Sequence, residues 1–123
     1  MIDYVKQVIY LASPYSHVDP KVMQARHDEV ARIYCDLISE YIVFCPILHN
    51  HTAANISGTL TGNWATWREQ DLGLLSRCDI LVVALMEGWH KSVGVQAEIK
   101  FARENLIPVQ FYDPEAKQMV EEE

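Results

Sequence analysis

Several features that would assign this chain to a familiar class of protein are missing. It has three cysteines, Cys35, Cys45 and Cys78, and none of them forms a C-x-x-C motif. The number of cysteines is odd, they are dispersed, and the first residues contain no apolar run typical of an export signal. These features predict reduced thiols and a cytoplasmic location. Cys35 and Cys78 lie among apolar residues, which predicts that both are small core residues. No window of about 18 uncharged apolar residues occurs, so we expect no membrane span and no membrane partner.

Positive charge is also scarce. The formal net charge is −7, and no basic stripe of the kind found in nucleic-acid-binding proteins is present. The sequence therefore predicts no polymeric nucleic-acid partner. A single small phosphate remains compatible with this charge, because backbone amides at a helix N-terminus can hold it.

Three common catalytic or cofactor motifs are absent. The chain contains no G-x-G-x-x-G, no G-x-x-x-x-G-K-[ST] and no G-x-S-x-G, which disfavours dinucleotide oxidoreductases, P-loop NTPases and serine hydrolases of the α/β type. His49 and His51 form an H-x-H pair, but no third or fourth ligand follows nearby. We therefore expect neither a cofactor nor a metal.

The order of apolar segments indicates the fold. Short apolar runs alternate with segments of helical periodicity, which predicts an α/β domain with a mostly parallel sheet of four to five strands. Right-handed crossovers would make it doubly wound, Rossmann-like or flavodoxin-like, with helices on both faces. We expect one domain over residues 1–123, with a frayed acidic tail at 114–123. The predicted strands are Gln7–Ser13, Tyr41–Leu48, "DILVVAL" and "LIPVQFYD"; the predicted helices begin at Pro20, capped by Asp19, at Trp64 and at Val93, and a long polar loop is expected at His49–Asn63.

Ligands of such sheets bind beyond the carboxyl ends of the strands. Four of the five histidines fall in segments that leave those ends: His17, His49, His51 and His90. Any of the three tryptophans, Trp64, Trp67 and Trp89, could stack on a base, although aromatic residues at helical spacing are more often core residues.

One carboxylate stands out in the segment "SVGVQAEIKFA". Ser92 is placed to begin a helix, and Glu98 follows about 1.7 turns later. Glu98 could line a pocket at the sheet rim, or it could lie on the outer helix face near Arg103. A second acid close to it, such as Asp71, would permit chemistry at a glycosidic carbon. Asp79 directly precedes a strand and is expected to be structural.

Three segments, "IYLASPYS", "REQDLGLLSRCDILVVAL" and "SVGVQAEIKFA", resemble the nucleoside 2-deoxyribosyltransferase-like superfamily. The resemblance extends from about Val8 to Phe111 and is weakest across Ala53–Gly62. The chain is similar to small bacterial members of this superfamily that carry "PYSH" and to the 2'-deoxynucleoside 5'-phosphate N-hydrolases.

The resemblance implies roles for individual residues. Glu98 would be the nucleophile that attacks the anomeric carbon, Asp71 would position or protonate the leaving base, and Tyr10 would lie beside the sugar and the nucleophile. Ser92 would contact a 5'-phosphate. The other residues expected to contact the substrate lie on the rim loops and at the start of the same helix: Ser13, Tyr15, His17, His49, Trp89 and Gly94.

The sequence also departs from the N-hydrolases. The loop "SPYSHVDP" lacks their glycine- and arginine-containing phosphate stretch, for which His17, Arg26 or Lys91 could substitute, and "MEGWHKS" is longer. The superfamily implies a homodimer or homotetramer in which a neighbouring subunit completes the site, but no matching element is present in "YDPEAKQMVEEE".

These observations favour an N-glycosidase that cleaves or transfers the base of a nucleoside or nucleoside 5'-monophosphate. A non-catalytic nucleotide-binding or signalling module on the same scaffold is one alternative, because fold alone does not carry function. A glycohydrolase of NAD-type nucleotides is a second. A metal-dependent hydrolase built on His49 and His51 is the least favoured.

Overall fold

Most of the strands and helices form where the two-residue period of strands and the 3.6-residue period of helices predict them. A computed structural model describes residues 6–58 and 64–121 as four helices and one five-stranded sheet. The strands are β1 (Val8–Ala12), β2 (Ile42–Phe44), β3 (Ile80–Ala84), β4 (Val109–Asp113) and β5 (Gln118–Val120). The helices are α1 (Pro20–Leu37), α2 (Pro46–Ser57), α3 (Trp64–Leu75) and α4 (Val93–Glu104), and a short 3-10 turn spans Trp89–Lys91.

The sheet has the order β2-β1-β3-β4-β5. The first four strands are parallel, and β5 is antiparallel to β4. The α/β class and the mostly parallel sheet predicted from the sequence are confirmed. Because the carboxyl ends of the parallel strands share one edge, the segments that follow β1, β2 and β3 meet there.

Alternate residues of the central strands pack into two separate apolar clusters. Ile9 and Leu11 face the cluster that contains α1, whereas Tyr10 and Ala12 face the cluster that contains α3 and α4. This follows from the two-residue period of a strand, which sends successive side chains to opposite faces. Tyr10 therefore lies on the same side of the sheet as Glu98 of α4.

The first helix begins as the sequence predicts. The Asp19 side chain accepts a hydrogen bond from the Lys21 backbone N–H at 2.9 Å, and Pro20 is the first helical residue. Such a cap satisfies one of the N–H groups that have no partner inside the helix.

The second predicted strand and the long polar loop after it are wrong. The strand β2 ends at Phe44, and residues 46–57, which were expected to finish the strand and begin the loop, form the helix α2. Pro46 is suited to the first helical position, and Gly58 ends the helix in a left-handed conformation with φ of 68°. Residues 59–63 of the expected loop lie outside the described residues.

The acidic tail also differs from the expectation of a frayed terminus. Within it, Gln118–Val120 forms β5, and Met119 and Val120 pack against the two apolar clusters. The turn before β5 is held by Asp113, whose Oδ1 accepts hydrogen bonds from the backbone N–H groups of Glu115 and Ala116 at 2.9 and 3.3 Å. Such side-chain bonds to the following backbone are typical of turns.

One cysteine prediction is wrong. Cys35 is exposed, because it lies on the face of α1 opposite the buried residues Val30, Ile33 and Leu37. Cys78 is half-buried against the cluster of α3 and α4, and Cys45 is buried before α2. In the two described ranges, no helix is long and apolar enough to cross a membrane.

Candidate active site

Glu98 is a buried carboxylate in the middle of α4. Its side chain is only 5% exposed, which excludes the alternative of an outer-face position near Arg103. The helix begins where the sequence predicts, because Oγ of Ser92 accepts a hydrogen bond from the Val95 backbone N–H at 3.2 Å.

Glu98 is paired with a tyrosine of the central strand. Its Oε2 accepts a hydrogen bond from the hydroxyl of Tyr10, which is itself fully buried. Burial raises the pKa of Glu98 to about 8; the nearby charge of Asp71 adds to the increase, and the hydrogen bond from Tyr10 opposes it. The pKa of Tyr10 is also raised well above its ordinary value, first by burial and then by the charge of Glu98.

A second buried carboxylate, Asp71, comes from α3. It accepts hydrogen bonds from Nδ2 of Asn50, at 3.0 Å to Oδ1 and 3.4 Å to Oδ2. Burial raises the pKa of Asp71 to about 6, while the hydrogen bond from Asn50 and the nearby His49 act in the opposite direction. The two acids thus titrate in different ranges, and such a separation is a feature of acid–base sites.

Both carboxylates line one cavity of about 470 Å³. This size falls within the range of about 300–1,000 Å³ of small-molecule sites. The cavity is bounded by the segment after β1, by α2, by α3 and by the start of α4. Its lining residues are Ala12, Ser13, Tyr15, Ser16, Pro46, Ile47, Asn50, Trp64, Ala65, Trp67, Asp71, Lys91, Ser92, Val93, Gly94 and Glu98.

The cavity combines flat apolar walls with a few polar groups. The indoles of Trp64 and Trp67 and the side chain of Ile47 belong to the apolar part. Ser13 is 5% exposed, and its Oγ has no hydrogen-bond partner in the part of the chain that the structure describes. Because an unpartnered buried hydroxyl is costly, Ser13 is suited to a polar group of a ligand.

Close packing between α3 and α4 favours a glycine at position 94. A Cβ atom there would lie 3.1 Å from Cε3 of Trp64. The absence of a side chain therefore lets the indole approach the beginning of α4 while both elements still line the cavity.

Tyr15 also lines the cavity, and a hydrogen bond to His51 of α2 holds its hydroxyl. Its hydroxyl is hydrogen-bonded to Nδ1 of His51, and Nε2 of His51 lies 3.2 Å from Oε1 of Gln24. The His51 ring also stacks on His27, with ring centroids 4.3 Å apart. Burial, followed by the charge of His27, lowers the pKa of His51, which favours the neutral ring.

Most residues expected from the sequence to form the site lie together. Glu98, Asp71, Ser13, Tyr15, Ser92 and Gly94 line the cavity, and Tyr10 lies beneath it against Glu98.

Three of the expected substrate contacts lie elsewhere. His17 is exposed, and its Nδ1 accepts a hydrogen bond from the Asp19 backbone N–H at 3.0 Å. His49 is exposed and reaches the site only through Asn50, with its Nδ1 3.2 Å from Oδ1 of Asn50. Trp89 packs on Phe111, with ring centroids 5.5 Å apart, and does not line the cavity.

The sequence did not identify Asn50, Pro46 or Ile47 as site residues, because Pro46 and Ile47 were expected to end a strand and Asn50 to lie in a loop. Pro46 as a possible first helical residue and Gly58 as a helix end were the available signals. His51 was expected in a polar loop at the sheet rim and was weighed there as a metal ligand. In the structure the ring of His51 is hydrogen-bonded to the hydroxyl of Tyr15. The described residues contain no group of three or more histidine, cysteine or acidic side chains able to hold a metal.

A stability measurement tests the burial of Glu98. Because its pKa is raised from 4.5 to about 8, its contribution to stability is complete below about pH 4.5 and is lost as the pH rises through about 8. Glu98→Gln cannot ionise, so we expect its Tm to exceed that of the wild type by about 5 °C or more near pH 9, given about 1.4 kcal/mol per pKa unit.

The measurement is a pair of thermal unfolding series for the wild type and Glu98→Gln between about pH 4 and pH 9. The difference between the two proteins isolates Glu98, because other titrating groups contribute to both. Parallel Tm curves across the whole range would contradict a buried Glu98.

A comparison with protein-family models matches residues 7–114 to a domain of unknown function, DUF1937. The match covers most of the chain, so the chain belongs to this family. No curated protein matches the chain significantly.

Proposed function

We propose that this member of the DUF1937 family is an N-glycosidase. It would cleave, or transfer, the base of a nucleoside or nucleoside 5'-monophosphate through a covalent intermediate on Glu98. One observation carries the proposal. Glu98, a buried carboxylate that is hydrogen-bonded to Tyr10, lines the same small-molecule-sized cavity as the buried carboxylate of Asp71. A retaining glycosidase uses two carboxyl groups in one site, one as the nucleophile and one as the general acid.

In the first step, the free Oε1 of Glu98 attacks the anomeric carbon. A new carbon–oxygen bond forms, the glycosidic carbon–nitrogen bond breaks, and its electron pair leaves with the base. Tyr10 holds Oε2, so Oε1 is the oxygen left to attack. A carboxylate nucleophile divides one difficult displacement into two easier ones.

Asp71 supplies the proton that the departing base needs. With a pKa near 6, Asp71 is protonated in a minor fraction of the molecules at neutral pH, and that fraction releases its proton readily. In the second step Asp71, now ionised, takes a proton from water as the water oxygen attacks the same carbon and releases Glu98. A second base in place of water would give transfer rather than hydrolysis.

The apolar walls suit a flat heteroaromatic base. Trp64 and Trp67 line the cavity on the side of α3, the helix that also carries Asp71, and aromatic side chains stack on bases favourably. A base seated there would be close to the acid that protonates it.

The beginning of α4 suits a 5'-phosphate. Ser92, Val93 and Gly94 line the cavity where the first N–H groups of a helix have no partner within it. Lys91 lines the same part of the cavity and adds a positive charge. An anion at this point would be stabilised without a basic patch elsewhere.

The fold supports membership of the nucleoside 2-deoxyribosyltransferase-like superfamily. The strand order places β1 between β2 and β3, so consecutive connections run in opposite directions from β1, as in a doubly wound flavodoxin-like sheet. The cavity begins at the carboxyl end of β1, with Ala12 and Ser13, and such a switch point is where these sheets bind ligands.

The direct test is base release from a panel of ribonucleosides, deoxyribonucleosides, their 5'-monophosphates and NAD, resolved by chromatography. We expect release from at least one member of the panel. No release, together with thermal stabilisation by one compound, would overturn the proposal in favour of a nucleotide-binding module. Release from NAD alone would assign a glycohydrolase of larger nucleotides.

The dependence of activity on pH provides a further prediction. The active pair carries one proton, with Glu98 ionised and Asp71 protonated; because the pKa of Glu98 lies above that of Asp71, this is the minor of the two singly protonated forms, and its population still peaks between the two pKa values. Below about pH 6 both acids are protonated and the nucleophile is lost; above about pH 8 both are ionised and the proton donor is lost. We therefore expect a bell-shaped profile of kcat/KM with limbs near these values, each of which belongs to the pair. A profile that keeps rising beyond pH 8 would show that no acid is needed.

A further inference from the structure

The buried amide of Asn50 is hydrogen-bonded to Asp71, and the chemistry proposed above gives it no role. Asn50 is 5% exposed and lies on α2. Its Nδ2 donates to Asp71, whereas its Oδ1 lies 3.2 Å from Nδ1 of His49. The carboxamide therefore links an exposed imidazole to a buried acid.

We propose that Asn50 is a positioning residue that selects Oδ2 of Asp71 as the oxygen that carries and delivers the proton. The proposal rests on the function proposed above and adds a residue to it. It stands on the geometry of one donor between two oxygens, at 3.0 Å from Oδ1 and 3.4 Å from Oδ2.

The selection follows from the chemistry of an amide N–H. An amide nitrogen donates hydrogen bonds and cannot accept them. The stronger of the two hydrogen bonds goes to the closer oxygen, Oδ1, which favours Oδ1 as the carbonyl oxygen of the protonated acid and Oδ2 as the oxygen that carries the proton. The orientation of the amide is fixed from the other side, since Oδ1 of Asn50 can accept from His49 only while the NH₂ group faces Asp71.

The same bond assists the transfer. As the glycosidic bond breaks, the proton passes from Oδ2 to the base and the negative charge remains on Asp71. A hydrogen bond to an ionised acceptor is roughly twice as strong as a neutral one. The Asn50 contact thus strengthens as the proton leaves, which favours the transition state over the ground state.

The experiment compares Asn50→Leu with the wild type. Leucine is similar in size to asparagine and has no donor. We expect kcat to fall by about 10- to 100-fold, with KM within about two-fold, because a misplaced catalytic group costs rate rather than binding. We also expect the acidic limb of the pH profile to move to higher pH, since the lost bond favours the ionised form of Asp71.

Asn55→Leu is the matched control. Asn55 lies on the same helix, and its Nδ2 contacts Nε2 of His51 at 3.1 Å, not Asp71. We expect this variant to keep kcat within about two-fold and the acidic limb in place. Asn50→Ser, which keeps a shorter donor, is expected to recover part of the lost rate and covers the case in which Asn50→Leu does not fold.

A carbon-13 NMR titration of the Asp71 carboxyl separates this inference from the proposed function. We expect the pKa of Asp71 to be higher in Asn50→Leu than in the wild type, whether or not a substrate has been found. Base release by the wild type with an unchanged kcat and pH profile in folded Asn50→Leu would overturn the role of Asn50. An unchanged Asp71 titration would overturn it as well. Absence of base release from every compound, with a raised pKa in the variant, would count against the proposed function alone.

Discussion

Glu98→Gln is expected to abolish base release in a protein that remains folded. Glutamine keeps the shape of the side chain and still offers an oxygen to the Tyr10 hydroxyl, but its amide is not a nucleophile. Loss of the nucleophile removes the covalent route, so we expect kcat to fall by about 10⁴-fold or more. The measurement is the steady-state rate on the best substrate of the panel, with circular dichroism and Tm as checks of folding.

Glu104→Gln is the control for this variant. Glu104 is exposed at the end of the same helix and lies outside the cavity, so its replacement is expected to leave kcat within about two-fold. A Glu98→Gln protein that retains even a tenth of the wild-type rate would show that the nucleophile lies elsewhere.

Asp71→Asn is expected to lower activity by an amount that depends on the leaving base. With an ordinary base we expect a loss of about 10²- to 10⁴-fold in kcat, the usual contribution of a positioned acid. A purine nucleoside methylated at N7 already carries a positive charge, so its base departs neutral without a proton. If the enzyme accepts purines, the loss on that substrate should shrink to about 10-fold or less.

The control is Glu69→Gln, an exposed position on the same helix, for which we expect no difference between the two substrates. An equal loss of rate by Asp71→Asn on both substrates would mean that Asp71 organises the cavity and does not act as the acid. If only pyrimidine compounds are cleaved, the same comparison can be made with bases of different acidity.

The sheet could be predicted largely because its strands are continuous apolar runs. "DILVVAL" allows little besides a buried strand, and β3 is buried along its whole length. The caps at Asp19 and Ser92 were equally clear, since short polar side chains in front of an amphipathic pattern begin helices. These two caps fix where α1 and α4 begin.

The helix α2 could not be predicted in the same way. Its residues include two histidines, two asparagines and a threonine, and such a composition is more typical of a loop than of a helix. The helix forms because it packs against α1 and the end of β1, and this tertiary contact is not visible in local propensity. Asn50 was missed for that reason.

The burial of Glu98 was undecided from the sequence, since spacing along a helix gives the relative directions of side chains but not the rotation of the helix against the sheet. The contact with Tyr10 settles it. Three other predicted contacts were wrong for the same reason. Each lies in a segment at the correct edge of the sheet, but its side chain does not line the cavity: His17, His49 and Trp89. Topology predicts the location of a site more reliably than it predicts which side chains enter it.

The most direct test of a covalent intermediate on Glu98 is the configuration of the sugar product formed in water that contains methanol. Proton NMR distinguishes the two methyl glycosides, which do not interconvert as free sugars do. Two displacements at the same carbon restore the starting configuration, so we predict base release together with the methyl glycoside of retained, β configuration. Formation of the inverted, α glycoside would contradict the intermediate, and release of no base from any nucleoside or nucleotide would contradict the N-glycosidase itself.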